Sequence, residues 1–415
     1  MAAFKQQKVY KEQVVLALDI GTEYVRAVVF EARGRKGQII GYGEEKQELG
    51  NMQAGVIIDI AKVVDNCHVA IEKAEEMAKK KPTQFVMGIA GELVKGETVT
   101  IEYERSNPDE KITLSELKNI VHKIQWEVFE QVRKDLAEQT GYSEIDIKLI
   151  NAAIGGVQID NQRVSNPIGF LGKNLELDIY NAFAPLVQFG ALQTIAAEIG
   201  YDLLSVVVQP YALSRCLTLE DGSDFSAIFI NLGAGTTDIA VVEEGSLKGT
   251  KSFSIGGRTF TKSLAHELVV SYPEAEKVKL AYSRGGLDNN STRIVREVMQ
   301  ADAETWLTGL KLSLQEMDFK SLPSRVLISG GGALLPEIEA SLKGQKWAKN
   351  LPFVRYPSFS FLLPKDITSL EDKTRKVRGT DKVMVKALVN LALGLAGEES
   401  LIGGILRKVT QAVGA

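Results

Sequence analysis

The residues with the clearest chemical potential lie where the first apolar run ends. Asp19 follows Val14–Leu18, and Gly21 and Thr22 come next. Glycine lets a backbone approach a phosphate closely, a threonine hydroxyl adds a donor, and a carboxylate can hold hydrated Mg²⁺. Because a second β-branched run, Tyr24–Phe30, follows the turn, we predict a buried β-hairpin whose turn could bind phosphate.

The same pattern returns at Ala227–Val242. A constant offset of 212 residues pairs Asp19 with Asn231 without a gap. The second turn offers Gly233, Ala234, Gly235, Thr236 and Thr237, with Asp238 after them. One copy alone could be an ordinary glycine turn, but two copies at equal offset favour phosphate binding. A repeat of this length also predicts two homologous domains.

A third glycine site follows the apolar run Arg325–Ser329. Gly330, Gly331 and Gly332 precede Pro336, which suits the first turn of a helix. The pattern predicts a strand, a triple-glycine turn and a helix whose N-terminus offers free N–H groups. No GxxxxGK[ST] motif occurs, and neither hairpin carries GxGxxG. These absences argue against a P-loop and against a dinucleotide fold.

Two lobes of about 150–200 residues are expected to position these loops, because 415 residues exceed one ordinary core. The 45% hydrophobic and 25% charged residues are typical of a soluble globular protein. A net charge of −4 gives no electrostatic footprint for nucleic acid. Cys67 and Cys216 form no CxxC pair, and the three histidines are not spaced as metal ligands. We therefore expect neither a disulfide framework nor structural zinc. This cysteine usage fits a reducing cytoplasm.

Nothing in the sequence predicts secretion or a membrane span. The polar segment 1–13 is expected to be a flexible leader rather than a signal peptide. No run of about 20 apolar residues occurs. Any contact with a membrane is therefore expected at its surface.

The three loops, in this order, resemble those of actin-like ATPases. The matching segments are Asp19–Thr22, Leu232–Asp238 and Ser329–Pro336. The resemblance implies that the two hairpins, including Glu23, bind the phosphates and Mg²⁺ of ATP, with Asp19 meeting the metal directly or through water. It further implies that the third loop lies against the adenosine. It also implies that Gly257, Glu276 and Lys279 lie at the nucleotide. From spacing alone, Glu276 and Lys279 would be an exposed ion pair on one helix face.

Further segments resemble the FtsA family of bacterial division proteins. They are Gly155–Glu176, which contains Asn166-Pro167, and Gly55–Asp59 with the helix after it. The resemblance implies an α/β, actin-like fold with two duplicated ribonuclease H-like domains around a nucleotide cleft and an inserted FtsA-type α+β subdomain. The predicted parts are a leader at 1–13, a first domain at 14–82 and 166–210, an insert at 83–165, a second domain at 211–396 and a linker with a C-terminal helix at 397–415. Thr113 or Ser115 is expected to cap a helix in the insert.

Two departures from the family pattern bear on catalysis. Asn231 stands where the second hairpin usually begins with an aspartate, and Gln209 stands where the turn before it usually has a glutamate. Gln209, Asn231 and Asp238 are the candidate catalytic residues. One carboxylate fewer neutralises less charge during phosphoryl transfer. We therefore expect ATP binding with, at most, slow hydrolysis.

The last residues form an amphipathic pattern. At about 100° per residue, six apolar side chains share an arc of about 140°. They are Leu401, Ile402, Ile405, Leu406, Val409 and Val413. FtsA proteins end in a membrane-binding helix of this kind. A helix packed on its own domain is the other interpretation, since the linker is short and two glycines weaken the helix.

The resemblance implies a cytoplasmic protein at the inner face of the membrane that polymerises through its insert and tethers the FtsZ ring. Its expected partners are the FtsZ C-terminal tail, other copies of itself, surface lipids and later division proteins. A PilM-like adaptor, which binds the cytoplasmic tail of a pilus or secretion protein, is the main alternative. A sugar kinase would need a catalytic aspartate that we do not find, and a DnaK-type chaperone would need a long domain after residue 397.

Overall fold

The computed structural model describes residues 13–33, 36–140, 147–164, 166–217 and 225–396. Its strands are β1 (Gln13–Ile20), β2 (Tyr24–Arg33), β3 (Lys36–Lys46), β4 (Met52–Gln53), β5 (Val56–Ile57), β6 (Gln84–Ile89), β7 (Lys95–Glu104), β8 (Ile147–Ile159), β9 (Gln162–Arg163), β10 (Asn174–Pro185), β11 (Asp202–Val208), β12 (Ala227–Leu232), β13 (Thr237–Glu243), β14 (Ser246–Phe253), β15 (Arg325–Ser329), β16 (Ser358–Phe361) and β17 (Leu370–Asp372). Its α-helices are α1 (Ile60–Ala78), α2 (Leu114–Thr140), α3 (Leu186–Ile199), α4 (Gln209–Ser214), α5 (Gly257–Leu268), α6 (Tyr272–Ser283), α7 (Asn289–Glu316), α8 (Pro336–Lys343) and α9 (Val383–Ala396).

The first lobe is built on a sheet that, within the described chain, has six strands in the order β11-β6-β1-β2-β3-β17. β1 pairs antiparallel with β2 and parallel with β6. Most apolar residues of β1 and β2 are buried because α1 and α9 cover the sheet, and only Val14 and Tyr24 at the strand starts are partly exposed. A continuous apolar run is typical of a strand covered on both faces. The predicted first hairpin is therefore confirmed.

The second lobe repeats this arrangement. β12 pairs antiparallel with β13 and parallel with β15, β13 continues to β14, and β15 pairs parallel with β16. The order β14-β13-β12-β15-β16 thus matches β3-β2-β1-β6-β11 strand for strand. Helices α5, α7 and α8 enclose its apolar face around Trp306. The two homologous α/β domains that the repeat predicts are confirmed.

An inserted subdomain extends the sheet of the second lobe. β10 lies between β7 and β8, and β7 joins β14 through the pairs Gly249–Glu97 and Thr250–Gly96. The insert has a core of its own, where Leu117 and Val121 of α2 are buried. Thr113 caps α2, because its hydroxyl accepts the Glu116 N–H at 3.2 Å. This cap is one of the two predicted.

The limits of the insert differ from the predicted 83–165. β6 lies inside the first-lobe sheet, between β11 and β1, whereas β10 belongs to the insert. The structure thus places β7 to β10, Lys95–Pro185, in the insert. Parallel pairing of β6 with β1 is a long-range contact, which periodicity along the chain does not report.

The chain also returns to the first lobe before it ends. β17 pairs with β3, and α9 packs on β1, β2 and β6. Their buried side chains join the first-lobe core, including Leu370, Val385 and Leu388. The predicted second domain, 211–396, therefore contains a final segment that belongs to the first lobe. The predicted leader reaches residue 13, where β1 already begins.

Candidate functional site

The first loop joins β1 to β2. Its turn is closed by the Gly21 N–H, which donates to the Tyr24 carbonyl at 3.0 Å. A Cβ at Gly21 would lie 2.8 Å from that carbonyl oxygen, so the turn requires glycine. Asp19 is buried at the strand end, where its Oδ1 accepts from Gln209 Nε2 at 2.8 Å. Gln209 begins α4, which is the first connection between the lobes. This connection therefore contacts Asp19 directly through the Gln209 amide.

The second loop faces the first across the cleft between the lobes. The Gly233 N–H closes it on the Thr236 carbonyl at 2.9 Å. A Cβ at Gly235 would come within 2.6 Å of the Thr22 hydroxyl, which shows how closely the two loops approach. Glycine at this position lets the two backbones face one ligand.

Thr237 does not join this group. Its hydroxyl donates to the Ile255 carbonyl at 2.6 Å and accepts from Trp306 Nε1 at 2.9 Å, and it is fully buried. Thr236 lines the cleft, but Thr237 does not. The structure therefore gives Thr237 a role in the core of the second lobe rather than at the predicted phosphate site.

The third loop follows β15. Gly330 has φ +95°, and a Cβ there would lie 2.2 Å from the Leu232 carbonyl oxygen. Its N–H and carbonyl both bond to Thr380, at 3.0 Å each. α8 begins at Pro336, as the sequence predicts. The loop is thereby fixed between β12 and the segment that leads back to the first lobe.

Lys279 and Glu276 lie on one face of α6, which Ser271 and Glu274 cap reciprocally. Lys279 is buried, and its ammonium bonds to the Gly257 carbonyl at 2.9 Å, to the Thr261 hydroxyl at 2.6 Å and to Glu276 at 2.8 Å. An ammonium has three N–H donors. All three are therefore in use, two of them holding α6 on α5 and the third on Glu276 of the same helix. A contact of Lys279 with a sugar stays a prediction.

Two buried carboxylic acids face each other across the hairpins. Burial raises the pKa of Asp19, although Arg26 opposes this. Burial also raises the pKa of Asp238 to about 6, and the charge of Asp19 adds to the rise. Ser252 Oγ donates to Asp238 at 2.7 Å, and Asn231 Nδ2 donates to it at 3.3 Å. Two acids that resist ionisation together are suited to a cation between them.

The donor set fits hydrated magnesium better than a fully protein-bound metal. No group of three or more histidine, cysteine, aspartate or glutamate residues that could hold an ion occurs among the described residues. Mg²⁺ keeps most of its waters and takes one or two carboxylates with phosphate oxygens. Asp19 would hold such an ion, with Asp238 and the Asn231 amide at hand for its waters.

Sequence reasoning missed the cations of this site. Arg26 is opposite Asp19 in the β1–β2 pairing, 3.9 Å from it, and also contacts Asp381 at 3.2 Å. Adding the repeat offset of 212 to Arg26 gives Asp238, which is opposite Asn231 in the second hairpin. Applying the offset to Asp238 would therefore have revealed Arg26. Arg258, beside the predicted Gly257, also lines the cleft.

These loops enclose one cavity of about 520 Å³ between the lobes. That volume is within the range of small-molecule and cofactor sites. Except for Thr237, every predicted nucleotide-binding and catalytic residue lines it: Asp19, Gly21, Thr22, Glu23, Gln209, Asn231, Gly233, Ala234, Gly235, Thr236, Asp238, Gly257, Glu276, Lys279, Gly330, Gly331 and Gly332. Leu280 and Leu334 add exposed apolar surface at the third loop, which suits a flat base.

The predicted membrane residues Leu401, Ile402, Ile405, Leu406, Val409 and Val413 lie outside the described residues. Among the helices that the structure describes, none has the length and apolar character to cross a bilayer.

The duplicated lobes and the cleft between them give the chain an actin-like fold. PilM, in a solved PilM–PilN type IV pilus biogenesis complex, has this fold: the TM-score is 0.63 at 15% identity, covering 91% of this chain and 98% of that one. Residues 228–394 match the family model of cell division protein FtsA. The chain is 24% identical to FtsA of Enterococcus faecalis, over 79% of this chain and 76% of the relative. It is 23% identical to FtsA of Streptococcus pneumoniae, over 97% and 89%.

The chain is thus an actin-fold protein whose sequence relatives are FtsA cell division proteins, and the predicted resemblance is confirmed.

Proposed function

We propose that the cleft binds ATP with Mg²⁺, and that nucleotide binding controls a division scaffold which polymerises and tethers the FtsZ ring to the cytoplasmic face of the membrane. The observation that carries the nucleotide site is the meeting of three glycine loops and two buried acids around one cavity. The similarity to FtsA proteins supports the role in division.

Each part of the cavity suits one part of a nucleotide. The N–H groups around Gly21 and Gly233 would bind phosphate oxygens, and the hydroxyls of Thr22 and Thr236 would add donors. Bound Mg²⁺ would neutralise phosphate charge, with Asp19 orienting its waters. Gly331 lies at the third loop, where a Cβ would meet nothing nearer than Asp381 at an ordinary contact distance of 3.8 Å. Adenosine would lie there, against Leu334.

Hydrolysis is proposed to be slow at best. Asn231 provides an amide where a carboxylate would attract metal-bound water. Gln209 can orient a water but cannot take its proton, and its Nε2 is already bonded to Asp19. Phosphoryl transfer depends on positioned charge, and this site supplies less of it than a pair of carboxylates would. The nucleotide would therefore act mainly as a switch.

The partners follow from the resemblance. Copies of the chain would meet through the inserted subdomain, the second lobe would hold the FtsZ C-terminal tail, and the insert would also meet later division proteins. The residues from Leu401 onward would bind lipid at the membrane surface. The exposed Phe170 and Leu171 in the insert are apolar side chains that a neighbouring protein could cover.

Asp19→Asn tests the nucleotide site, because it removes the charge and keeps the shape. We expect the variant to fold and to lose Mg²⁺-dependent ATP binding by about tenfold or more in calorimetry, the scale of one charged contact. Asp302→Asn is the matched control, since Asp302 is a half-buried acid on α7 that does not line the cleft. ATP affinity equal to that of the parent would reject the site.

A pull-down separates the division role from the PilM-like alternative, which shares the fold. We expect the immobilised chain, with ATP present, to retain an FtsZ C-terminal peptide. Retention of the cytoplasmic tail of a pilus or secretion membrane protein, and not of FtsZ, would favour the adaptor. The sequence relatives favour FtsZ.

A further inference from the structure

Arg258 connects the two lobes at the mouth of the cleft. It lies in the first turn of α5, whose N-terminus is fixed to the second loop because the Arg258 N–H donates to the Ala234 carbonyl at 2.8 Å. Its side chain reaches the first lobe, where Nε donates to Glu23 at 2.8 Å and Nη1 donates to the Met52 carbonyl at 3.1 Å. One guanidinium therefore holds both the phosphate turn and the β4–β5 hairpin of the first lobe.

The third nitrogen of this guanidinium has no acceptor. Nη2 is buried without a hydrogen-bond partner among the described residues, and Arg258 as a whole is only 8% exposed. It lines the cavity. Buried charged donors are normally paired, and one left unpaired is costly. An acceptor inside the cavity would remove that cost.

We propose that Nη2 of Arg258 binds a phosphate oxygen of the nucleotide, so that nucleotide binding locks the two lobes together through one side chain. The inference rests on the proposed nucleotide site and adds a means of coupling it to lobe closure. Phosphate is the acceptor that the geometry favours, because Glu23 directly follows Thr22 in the phosphate turn. A planar guanidinium can bind two acidic partners in fixed directions, which an ammonium cannot.

The neighbouring contacts support a closing role. Ser254, just before α5, donates to Glu92 of the loop after β6, so a second hydrogen bond joins the lobes at this edge. Lys46 lies 3.4 Å from Oε1 of Glu23, whereas Arg258 Nε bonds to Oε2, so Glu23 pairs with both cations. Because Lys46 already pairs with Glu23, this carboxylate would keep one cation if Arg258 moved away. A bound phosphate would hold the guanidinium in place and keep Glu23 on it.

Calorimetry with ATP, ADP and adenosine tests the contact in the parent and in Arg258→Gln. We expect the variant to bind ATP and ADP about tenfold more weakly, and adenosine as the parent does. Arg293→Gln is the matched control, since Arg293 is an exposed arginine of the same lobe. Arg258→Lys keeps the charge and serves if the glutamine variant fails to fold; we expect it to lose part of the phosphate affinity.

Hydrogen exchange tests the coupling separately. In the parent, saturating ADP should slow hydrogen exchange in Met52–Ile57. In Arg258→Lys, saturating ADP should leave the exchange rate of this segment unchanged. Unchanged ADP affinity in both Arg258 variants, or an equal loss for adenosine, would overturn the phosphate contact and leave the nucleotide site standing. Protection of Met52–Ile57 that persists in the lysine variant would overturn the lock. A parent that binds no nucleotide would overturn the proposed function and this inference together.

Discussion

Asp238 is a carboxylic acid that the fold keeps partly protonated near neutral pH. Its folded-state pKa of about 6 is above the ordinary value of 3.8 because the side chain is buried. Between about pH 4 and pH 6, Asp238 therefore keeps its proton in the native state and loses it in the unfolded state. Stability decreases as pH rises from about 4 to about 6, by an amount on the order of 3 kcal/mol, and the loss persists above pH 6. A bound cation would offset it.

Asp238→Asn should remove this loss. The amide oxygen can still accept from Ser252, and the Asn231 amide can turn its oxygen to the new N–H₂ group. Without nucleotide or Mg²⁺, we expect the variant to melt several degrees above the parent at pH 7.5 and much closer to it at pH 4.5. Melting curves across this range measure the difference. A gap that does not widen with pH would mean that Asp238 ionises normally.

Asn231→Asp should strengthen the dependence on metal. It puts a second carboxylate beside Asp238, where the amide now donates over 3.3 Å. Two acids at this distance share a proton unless a cation lies between them. We expect a lower melting temperature without Mg²⁺ and faster phosphate release with it.

The control for that variant is Asn350→Asp, the same charge change at an exposed position away from the cleft. Phosphate release no faster than in the parent, with ATP still bound, would show that Gln209 or another group sets the rate.

At the residue scale, the internal repeat and the glycine-rich motifs were enough to predict most residues of the site. Asp19, the loop glycines and Gln209 all line the cavity as the motifs implied. It did not find that Thr237 is used by Trp306, or that Arg258 crosses to Glu23, because both contacts join positions far apart in the chain. Such pairings depend on how elements pack, and spacing does not encode packing.

At the element scale, two glycines of the third loop have different roles: one is required by the backbone, and the other leaves room for the proposed ligand. Gly330 needs its φ of +95° and the space beside Leu232, whereas Gly331 has an ordinary φ of −67° and room for a Cβ. Gly330→Ala should therefore destabilise the second lobe. Gly331→Ala should keep the parent melting temperature, yet weaken binding of ATP and adenosine alike, because its methyl group enters the proposed adenosine site. Thermal melts and calorimetry on the pair decide this.

Equal nucleotide affinity in Gly331→Ala would place the base elsewhere in the cavity. A Gly330→Ala variant as stable as the parent would show that the loop can relax away from Leu232.

Elements with strong local signals were predicted well, and those defined by distant partners were not. The two hairpins, the Thr113 cap and the helix starting at Pro336 each follow from a few adjacent residues. β6 and β10 both have sequences that predict a strand, but β6 pairs with β1 and β10 pairs with β7. Periodicity could not show that β6 belongs to the first lobe and β10 to the insert, because both sequences are compatible with a strand.

At the scale of the whole molecule, duplication explains the site. Each lobe presents its first hairpin to the other, so the offset that pairs Asp19 with Asn231 also places them around one cavity. The chain crosses between lobes at Gln209 and again near Thr380, and both crossings contact the loops directly. A ligand bound between the loops therefore contacts the connections on which any lobe movement depends.

The proposed membrane tethering also belongs to the scale of the whole molecule, because one tail is expected to bind weakly. Six apolar side chains could contribute at most about 9–18 kcal/mol if fully buried, at ~1.5–3 kcal/mol each. Burial at a membrane surface is partial, and ordering about 15 residues costs free energy of the same order. Arg407 and Lys408 would add about 1 kcal/mol apiece on anionic lipid. The net term would be a few kcal/mol, so firm attachment would require many tails on one polymer.

We therefore expect the intact protein to pellet with anionic liposomes much better with ATP than without, and less well in high salt. Ile405→Glu should abolish pelleting, because it puts a charge in the apolar face, and should leave ATP affinity unchanged. Gln411→Glu, which adds the same charge on the opposite face, should reduce pelleting only slightly. If both variants pellet alike, the apolar face does not meet lipid. If removing residues 401–415 lowers the melting temperature of a protein that never pelleted, the segment packs on its own domain, and the adaptor reading takes the place of the membrane tether.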